Sequence, residues 1–403
     1  MTRVWQVNPT SDIDALLRHP AVIEAAEALR RGEVVAFPTE TVYGLGAIAT
    51  DDAAVARIFT AKGRPSDNPL IVHLADVDAL PLVARDIPED AMRLFSRFSP
   101  GPLTLILFDR GVVSRRVTAG LPTVAVRIPA HPVARALIRR VALPVAAPSA
   151  NRSGRPSPTR AEHVLADLEG IIYGLLDGGA AEVGIESTVL DLTRRPYVVL
   201  RPGSVTREAL SAVLGPGAIA ESAREGAADD APGGGAATVA GDRPNAAPRA
   251  PGMKYRHYAP DVPLTVLARS ALLASTAGRI ADRPSAWASP TERPEVDLAL
   301  RALFEAAREA HAAGKRVAVL AAVEDQARLS AMLASYGAAD LRAGIEWISL
   351  GHLGEPETVA RSLYAALRRL SPEHTTRAFA VALPEEGLFQ AVMNRLRKAA
   401  ESE

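Results

Sequence analysis

The sequence predicts an α/β protein built of two domains. Short runs rich in Val, Ile and Leu alternate with amphipathic stretches of helical period, which is the pattern of an α/β fold. At 403 residues the chain exceeds the length at which a single hydrophobic core usually keeps growing. A stretch of Gly, Ala, Pro, Asp and Arg near its middle has too few large apolar residues to pack. We therefore expect domains at 1–215 and 261–403, joined by a linker at 216–260.

Composition narrows the class of protein. The formal net charge is zero, which gives no global bias toward nucleic acid or membranes. The chain contains no cysteine, so disulfides, thiolate metal sites and cysteine nucleophiles are excluded. It also has neither a run of about 18 apolar residues nor an amino-terminal apolar run of signal-peptide length. These features predict a cytoplasmic protein with no membrane partner.

The predicted elements follow one another in a regular order. Predicted strands of the first domain are VVAF, LIVHL, LTLIL, TVAVRIP, PVAAP, STVLDL and YVVLRP, with helical segments such as DAAVARIFTAKG and PVARALIRRV among them. In the second domain PLTVLA, RVAVLAA, IEWISLG and FAVALP alternate with helices that end in GLFQAVMNRLRKAAE. Strands that alternate with helices favour sheets covered by helices in both domains.

Polar residues follow the first of these strands, in PTETVYGLGA. GLGAIA matches the Gly-x-Gly-x-x-Ala dinucleotide fingerprint, but PTETVY separates it from the strand end, so we reject the match. A Gly-x-x-x-x-Gly-Lys-Ser/Thr phosphate loop is absent from the sequence. Thr39, Glu40 and Thr41 form either a small polar cluster or an ordinary capping turn.

Two cations follow a predicted helix in TAKGRPSDNPLIVHL. Lys62 and Arg64 sit where the helix gives way to a Gly/Pro loop, and from there both can reach one anion, with Asn68 beside them. Phosphate is the natural candidate, and the alternative is a helix-terminal cation pair that complements the macrodipole. His73 lies in the apolar strand that follows, where a lone histidine is more often a satisfied core residue than a ligand.

Arg127 is a charge inside the otherwise apolar strand TVAVRIP. Burial of an arginine without an anion is costly, so a structural carboxylate or a substrate must face it, and we favour a substrate. Further candidates lie in the loop APSANRSGRPSPT and at two later strand ends: Ser149, Asn151, Ser157, Ser187 and Arg201. Such loops offer amides and hydroxyls to phosphate oxygens, although a plain irregular connection is the default.

Taken together, the polar and cationic residues at the strand ends predict a function. Five strand-end segments contribute hydroxyls, an amide or a cation, and strand ends of α/β sheets cluster in one crevice. The sequence has no His cluster of metal-binding spacing and no serine nucleophile elbow. Anion binding and phosphate chemistry are therefore favoured over hydrolysis by a protein nucleophile.

The same segments, in this order, resemble the YrdC-domain family in its two-domain form. The matching motifs are FPTETVYGLGA, AKGRPSDNPLIVHL, PGPLTLIL, TVAVRIPAHP, APSANRSGRPSPT, GIESTVLDL, LRPGSVT and APGMKYRHYAP. The carboxy-terminal segment is similar to the family's accessory domain more loosely, mainly through MNRLRKAA. This resemblance implies a YrdC-like twisted open sheet with flanking helices, followed by a smaller Rossmann-like α/β domain.

The resemblance also implies a reaction. L-threonine, bicarbonate and ATP would give L-threonylcarbamoyladenylate and pyrophosphate, the first step toward threonylcarbamoyl-adenosine in tRNA. Mg²⁺ would accompany ATP, bound mostly through phosphate oxygens because no carboxylate cage is evident. The adenylate would pass to the tRNA threonylcarbamoyl-transfer machinery, and weak binding of tRNA itself is a further expectation.

The resemblance assigns roles to individual residues. For ATP these are Arg64, Asn68, Thr123, Ser149, Ser157, Arg201, Tyr255 and Tyr258. For threonine they are Thr41, His73, Arg127, Ser187 and the backbone of Ala147. Catalysis would rest on Lys62, Arg64, Ser149 and Asn151, with no metal ligand from the protein. The linker end PGMKYRHYAP would cross the active site and shield it from water, or else it is a domain-entry strand anchored by tyrosines.

Two other functions compete with this reading. A YrdC-like domain presents a basic concave surface that can hold RNA without chemistry, which makes an RNA-binding module the principal alternative. The second is a carbamoyl transferase similar to the hydrogenase-maturation relative that carries a YrdC-like domain. That relative's zinc finger is impossible in a chain without cysteine.

Overall fold

A computed structural model describes residues 1–220, 248–250, 257–269, 303, 305–335 and 344–401. They belong to two compact units, the first comprising Met1–Ser153 and Ser157–Tyr255 and the second Gly154–Pro156 and Arg256–Glu403. The division between the units falls inside the predicted linker, most of which, including Tyr255, lies outside the described residues. Among the helices that are described, none is both long and apolar enough to cross a bilayer.

The first unit is an α/β structure. Its described strands are β1 (Arg3–Gln6), β2 (Val35–Phe37), β3 (Gly44–Ile48), β4 (Ile71–His73), β5 (Ala84–Arg85), β6 (Leu103–Asp109), β7 (Thr123–Arg127), β8 (Val145–Ala146), β9 (Gly174–Asp177), β10 (Thr188–Asp191) and β11 (Val198–Arg201). Its α-helices are α1 (Ile13–Arg18), α2 (Pro20–Arg30), α3 (Asp52–Lys62), α4 (Leu80–Val83), α5 (Glu89–Phe98), α6 (Arg115–Thr118), α7 (Pro132–Val141), α8 (Ala161–Leu168) and α9 (Arg207–Leu214).

The strands form one mixed sheet in the order β1-β9-β2-β3-β8-β4-β7-β6-β10-β11, with β5 beside β6. Helices cover both faces. On one face, α3, α5, α8 and α9 contribute to the larger core, and on the other α2 and α7 pack over β2, β8 and β9. The predicted twisted α/β sheet with flanking helices is confirmed.

Alternation along β6 and β7 gives the middle of the sheet two different faces. In LTLILFD, Leu103, Leu105 and Leu107 enter the larger core, as Val124 and Val126 do from TVAVR. Their neighbours Thr104, Ile106, Ala125 and Arg127 therefore lie on the opposite face, since successive strand side chains alternate. Thr104 and Arg127 thus lie on the face opposite the larger core, the face on which α2 and α7 pack.

Strand register brings these polar residues into one row. Val145 pairs with His73, His73 with Arg127, and Arg127 with Thr104. On the other side of Thr104, Val189 continues the row to Arg201. Because directly paired residues project from the same face of a sheet, the row aligns two arginines, a histidine and a threonine across six strands.

Local signals fix the end of α3. Asp51 caps the helix, its side chain accepting hydrogen bonds from the amides of Ala53 and Ala54. Gly63 ends it in the left-handed conformation at φ 61°, which glycine adopts without a Cβ penalty. Lys62 is therefore the last helical residue, with its side chain buried rather than in solvent.

The second unit is a smaller α/β structure, as predicted. Its described strands are β12 (Leu264–Leu267), β13 (Arg316–Ala321), β14 (Ile345–Ser349) and β15 (Thr375–Val381), and its helices include α10 (Val323–Ser335), α11 (Pro356–Arg368) and α12 (Gly387–Ala400). The four strands are all parallel, in the order β12-β15-β13-β14. Their Val, Leu and Phe residues form the core of this unit. All-parallel sheets are covered on both faces, which explains the continuous apolar runs in the sequence.

Gly203 provides a test of the packing beside β10. A Cβ at this position would lie 2.4 Å from the amide nitrogen of Thr188 and 2.8 Å from the carbonyl carbon of Ser187. We expect Gly203→Ala to lower the free energy of unfolding by about 1–3 kcal/mol, because backbone atoms have to move. Thermal and denaturant unfolding measure the change. Gly354→Ala is the control, since a Cβ there meets nothing within 4 Å; equal stability of the two variants would contradict the prediction.

Candidate active site

Arg127 has a carboxylate partner within the protein. Its Nη2 lies 2.7 Å from Oε1 of Glu40, and both side chains are almost fully buried. The amide of Ala130 donates to the other oxygen, Oε2, at 3.1 Å, and Nε of Arg127 donates to the carbonyl of Gly101 at 3.3 Å. Of the two anions that the sequence allows opposite Arg127, we favoured a substrate over a structural carboxylate, but the structure places a structural carboxylate there, that of Glu40.

This pair is close in distance but not aligned as a hydrogen bond. Oε1 of Glu40 and Nη2 of Arg127 are both buried without a hydrogen-bond partner. Burial of such groups is costly unless a partner is found. The pair therefore has unused hydrogen-bonding capacity of both kinds, one acceptor and one donor.

His73 lies beside Arg127 in the row and is held neutral. Burial, and secondly the positive charge of Arg127, lowers the pKa of His73 to about 3. Its Nδ1 is 3.2 Å from the carbonyl oxygen of Ile71, so the proton of the neutral ring lies on Nδ1. The ring also contacts the edge of Phe37. His73 is thus a neutral group at the border between the polar row and the apolar core.

Thr104, Ser187 and Arg201 form a buried network at the other end of the row. The hydroxyls of Thr104 and Ser187 are 2.7 Å apart. Arg201 donates to the hydroxyl and to the carbonyl of Ser187, both at 3.1 Å. The structure brings the predicted residues Ser187 and Arg201 together and links them, through Thr104, to Arg127.

Lys62 organises the loop that leaves β8. Its Nζ donates to the carbonyl of Ser149 at 2.6 Å, to the carbonyl of Asn151, and to the Asn151 side chain at 3.4 Å. Gly44 forms an isolated bridge with Ser149, and the amide of Ala147 donates to Ile71 of β4. Lys62, Ala147, Ser149 and Asn151, which the sequence assigned to the site, therefore meet where β3, β4 and β8 lie side by side.

The far end of the same loop reaches Glu186. Ser157 donates to Oε1 of Glu186 at 2.6 Å, and both residues are buried. Glu186 precedes Ser187, so the loop begins beside one end of the polar row and returns beside the other. This places Ser157 beside Glu186, the residue that precedes Ser187 in sequence.

Arg64 and Asn68 form a separate pair on the loop after α3. Arg64 donates from Nη2 to Oδ1 of Asn68 at 2.7 Å and to the carbonyl of Pro69 at 2.9 Å. Asn68 is buried, whereas Arg64 is half-buried. The predicted neighbours are therefore joined, with the guanidinium left partly accessible.

Thr41 is fully buried in the turn after β2. Its hydroxyl lies 2.9 Å from that of Thr39, which also bonds to the backbone of Val42. The turn is thus both a polar cluster and a hydroxyl-stabilised turn, so the two alternatives from the sequence coexist. The backbone carbonyl of Glu40 accepts from Val183, which anchors the turn.

Thr123 opens β7, on the same face as Arg127 but four residues away. At the strand rise this is about 13 Å, so any ligand that contacts both must be elongated along the strand. Between them, Ala125 belongs to a small apolar strip that also contains its neighbours Ile71 and Ile106 and, from the polar row, Val189; Ala250 packs onto this strip. Next to Ala250, Arg249 forms an ion pair with buried Asp191.

The linker tyrosines are not placed with these residues. Tyr255 lies outside the described residues. Tyr258 belongs to the second unit, where its ring packs 5.3 Å from that of Tyr364. Their contact with ATP stays a prediction, as do the other residue roles taken from the family resemblance.

The sequence reasoning missed three members of the site. Thr104 is the one polar residue in LTLIL, and strand alternation places it on the face opposite the leucines. This position was a weak sequence signal for the site. Glu186 precedes a site serine, and Glu40 was noticed without being given a role. The buried state of all three is what marks them, and burial of a polar residue cannot be read from its neighbours in sequence.

The charges suit an anionic ligand. Four cations, Lys62, Arg64, Arg127 and Arg201, belong to this set of residues, together with the carboxylates of Glu40 and Glu186. Within the described ranges no three His, Asp or Glu side chains are grouped closely enough to hold a metal ion. The arrangement can therefore bind and orient anions, with hydroxyls and amides beside them.

Family models match both parts of the chain. A model described as Telomere recombination matches residues 27–203, and one described as Threonylcarbamoyl-AMP synthase, C-terminal domain, matches residues 205–401. The two matches together span most of the sequence, and the site residues of the sheet fall within the first.

Individual relatives match over nearly the full length. The threonylcarbamoyl-AMP synthase of Bacillus subtilis is 42% identical over 400 residues, covering 99% of this chain and 98% of that protein. That of Pyrococcus abyssi is 42% identical over 376 residues, covering 93% and 92%. The crystal structure of P. abyssi Sua5 complexed with L-threonine matches with a TM-score of 0.75 at 40% identity, covering 99% of this chain and 98% of that one.

The low pKa of His73 predicts how stability depends on pH. The unfolded state takes up a proton as the pH falls below 6.5, whereas the folded state resists protonation until about 3. The free energy of unfolding should therefore fall with decreasing pH in this window, by about 1.4 kcal/mol per pH unit from this residue. Denaturant unfolding between pH 7.5 and about 4.5 should show a shallower slope for His73→Gln. The exposed His374 gives the control, His374→Gln; equal slopes in the two variants would refute the assignment.

Proposed function

Because this chain belongs to the threonylcarbamoyl-AMP synthase family, we propose that it forms L-threonylcarbamoyladenylate and pyrophosphate from L-threonine, bicarbonate and ATP. Full-length similarity to enzymes of that name supports the activity. The chain is accordingly a nucleotidyltransferase of two domains, with the polar row of the first unit as its active site.

The observation that carries this proposal is the polar row with Arg127, Thr104 and Arg201, to which Ser187 is hydrogen-bonded through Thr104 and Arg201. Arg127 has a planar guanidinium whose Nη2 is buried without a hydrogen-bond acceptor, and a carboxylate is the ligand that matches this geometry. The threonine carboxylate would bind there. A carboxylate placed at Arg127 lies beside the hydroxyl network of Ser187 and the neutral ring of His73, which can accept from the threonine hydroxyl.

ATP would occupy the rest of the site. Lys62 and Arg64 follow α3, and Lys62 holds the loop that carries Ser149 and Asn151. We assign the triphosphate to these cations and hydroxyls, and the nucleoside to the apolar strip toward Thr123. An elongated nucleotide satisfies the separation of about 13 Å between Thr123 and Arg127.

The chemistry requires positioning more than a protein nucleophile. Bicarbonate takes up a proton and loses water to give carbon dioxide. The threonine ammonium loses a proton, and the free amine adds to carbon dioxide with loss of a second proton, which gives a carbamate. A carbamate oxygen then attacks the α-phosphorus of ATP with release of pyrophosphate. Holding the two reactants side by side supplies much of the rate, and the cations neutralise charge that develops on the phosphates. Mg²⁺ would enter as part of the MgATP substrate, bound mostly through the phosphate oxygens.

We further propose the cellular setting. The adenylate is a reactive mixed anhydride, so a protein that transfers the threonylcarbamoyl group to tRNA must consume it. This places the protein in the cytoplasm with the tRNA threonylcarbamoyl-transfer machinery, and direct contact with tRNA would be weak because the net charge is zero.

Pyrophosphate release tests the activity directly. We expect the purified protein to release pyrophosphate only when L-threonine, bicarbonate, ATP and Mg²⁺ are all present, because the carbamate forms from the first two. A coupled phosphate assay measures the rate, with each component omitted in turn. Salt-sensitive RNA binding without any threonine-dependent release would instead favour the RNA-binding module.

Arg127→Lys separates the two binding regions. Lysine keeps the charge but loses the bidentate geometry, so the KM for threonine should rise by about 10-fold or more, as expected for a lost charged hydrogen bond. The KM for ATP should change little. Steady-state kinetics with each substrate varied measure both constants, and Arg139→Lys on α7 is a matched control. Equal effects on the two substrates would move Arg127 out of the threonine site.

A further inference from the structure

We propose that Glu40 recognises the α-ammonium group of the substrate, so that the site selects an amino acid over an otherwise identical acid without an amine. The inference rests on the proposed function, because it concerns the same site. Nothing in the family resemblance assigns a role to this residue.

The first observation is the state of the Glu40 carboxylate. It is almost fully buried, and Oε2 is fixed by the amide of Ala130 at 3.1 Å. Oε1 lies 2.7 Å from Nη2 of Arg127 but has no aligned hydrogen-bond donor. A buried carboxylate oxygen without a donor is costly. Oε1 is thus an oriented acceptor with capacity for one more donor.

The second observation is the charge of the surroundings. The site has to hold a triphosphate, a bicarbonate-derived carbamate and a carboxylate, all of them anions that an additional carboxylate repels. A buried ion pair is weak evidence for stability, since apolar residues of similar volume often serve as well. Apart from Mg²⁺, the threonine ammonium is the only positive charge that any of the proposed substrates brings. It is therefore the group that gives a buried glutamate a function here.

The third observation is distance. In an α-amino acid the carboxylate and the ammonium are attached to the same carbon, so residues that bind them must be close neighbours. Glu40 and Arg127 are in contact, with Arg127 placed in the polar row by its pairing with His73 and Thr104. A threonine whose carboxylate meets Arg127 brings its ammonium within reach of Glu40. Arg127 and Glu40 thus form a complementary pair for the zwitterion.

The test compares two ligands that differ at the amine. Calorimetric titration of the full chain uses L-threonine and the 2,3-dihydroxybutanoate of the same configuration, in which a hydroxyl replaces the ammonium. The wild-type protein should bind threonine about 10- to 100-fold more tightly, the effect of a hydrogen bond between charged groups. Glu40→Gln keeps the size and the acceptor for Ala130 but removes the charge, so this preference should fall to about 3-fold or less.

Two further variants make the result specific. Glu40→Asp keeps a negative charge near Arg127 but withdraws it by one methylene, so it should weaken threonine binding while the dihydroxy acid is little affected. Glu27→Gln, at an exposed position of α2, should leave both affinities unchanged. Thermal unfolding of each variant shows whether it is folded, and the wild-type comparison does not depend on any variant.

Other outcomes would overturn the inference. Equal wild-type affinity for the two ligands would show that the amine is not recognised. If Glu40→Gln lowered the affinity for both ligands equally, the role of Glu40 would be to support Arg127. If the variant changed only the Mg²⁺ concentration that the enzyme requires, Glu40 would instead be a metal ligand. Failure of the wild-type protein to bind threonine at all would overturn the proposed function together with the inference. Threonine binding without a preference over the dihydroxy acid would overturn the inference alone.

Discussion

The active site depends on the register of the central sheet. His73, Arg127, Thr104 and Arg201 come from four strands that are separated in sequence, and each is aligned with the next by backbone pairing. A slip of one residue in any strand would send its polar side chain into the larger hydrophobic core. The leucines and valines that alternate with them therefore specify the site as much as they specify the fold. Burial of these leucines and valines in the larger core stabilises the register that keeps Arg127 and Arg201 on the opposite face.

The loop from β8 is held at both of its ends. Lys62, buried at the end of α3, fixes the start of the loop through backbone carbonyls, and the bond from Ser157 to Glu186 fixes its return. The carbonyl oxygens of Ser149 and Asn151 accept from the Lys62 ammonium and carry no formal charge, so these contacts order the loop without cancelling the positive charge of Lys62. The same residues thus order the loop and contribute to the positive potential of the site.

Glu40 and Arg127 are buried side chains whose hydrogen-bonding capacity is not fully used by the protein. Most buried polar atoms in proteins are paired, yet each of these residues keeps one buried atom without a hydrogen bond. The opposite charges lower the cost of burial, and the lack of alignment leaves one donor and one acceptor without a hydrogen bond. A zwitterion can use both groups at once, which is why the pair is more informative than either residue alone.

The sequence by itself determined the α/β class, the two-part organisation and most of the polar residues that meet in the sheet. Strand periodicity and Gly/Pro punctuation are local signals, and the ordered motifs carried the family resemblance and the activity. Tertiary structure alone decided that Glu40 faces Arg127, that Thr104 joins Ser187 to the row, and that Ser157 bonds to Glu186. The first two of these contacts join residues about 80 to 90 positions apart. Pairing of that kind follows from the packing of the whole sheet, because no local pattern records which buried polar groups will face each other.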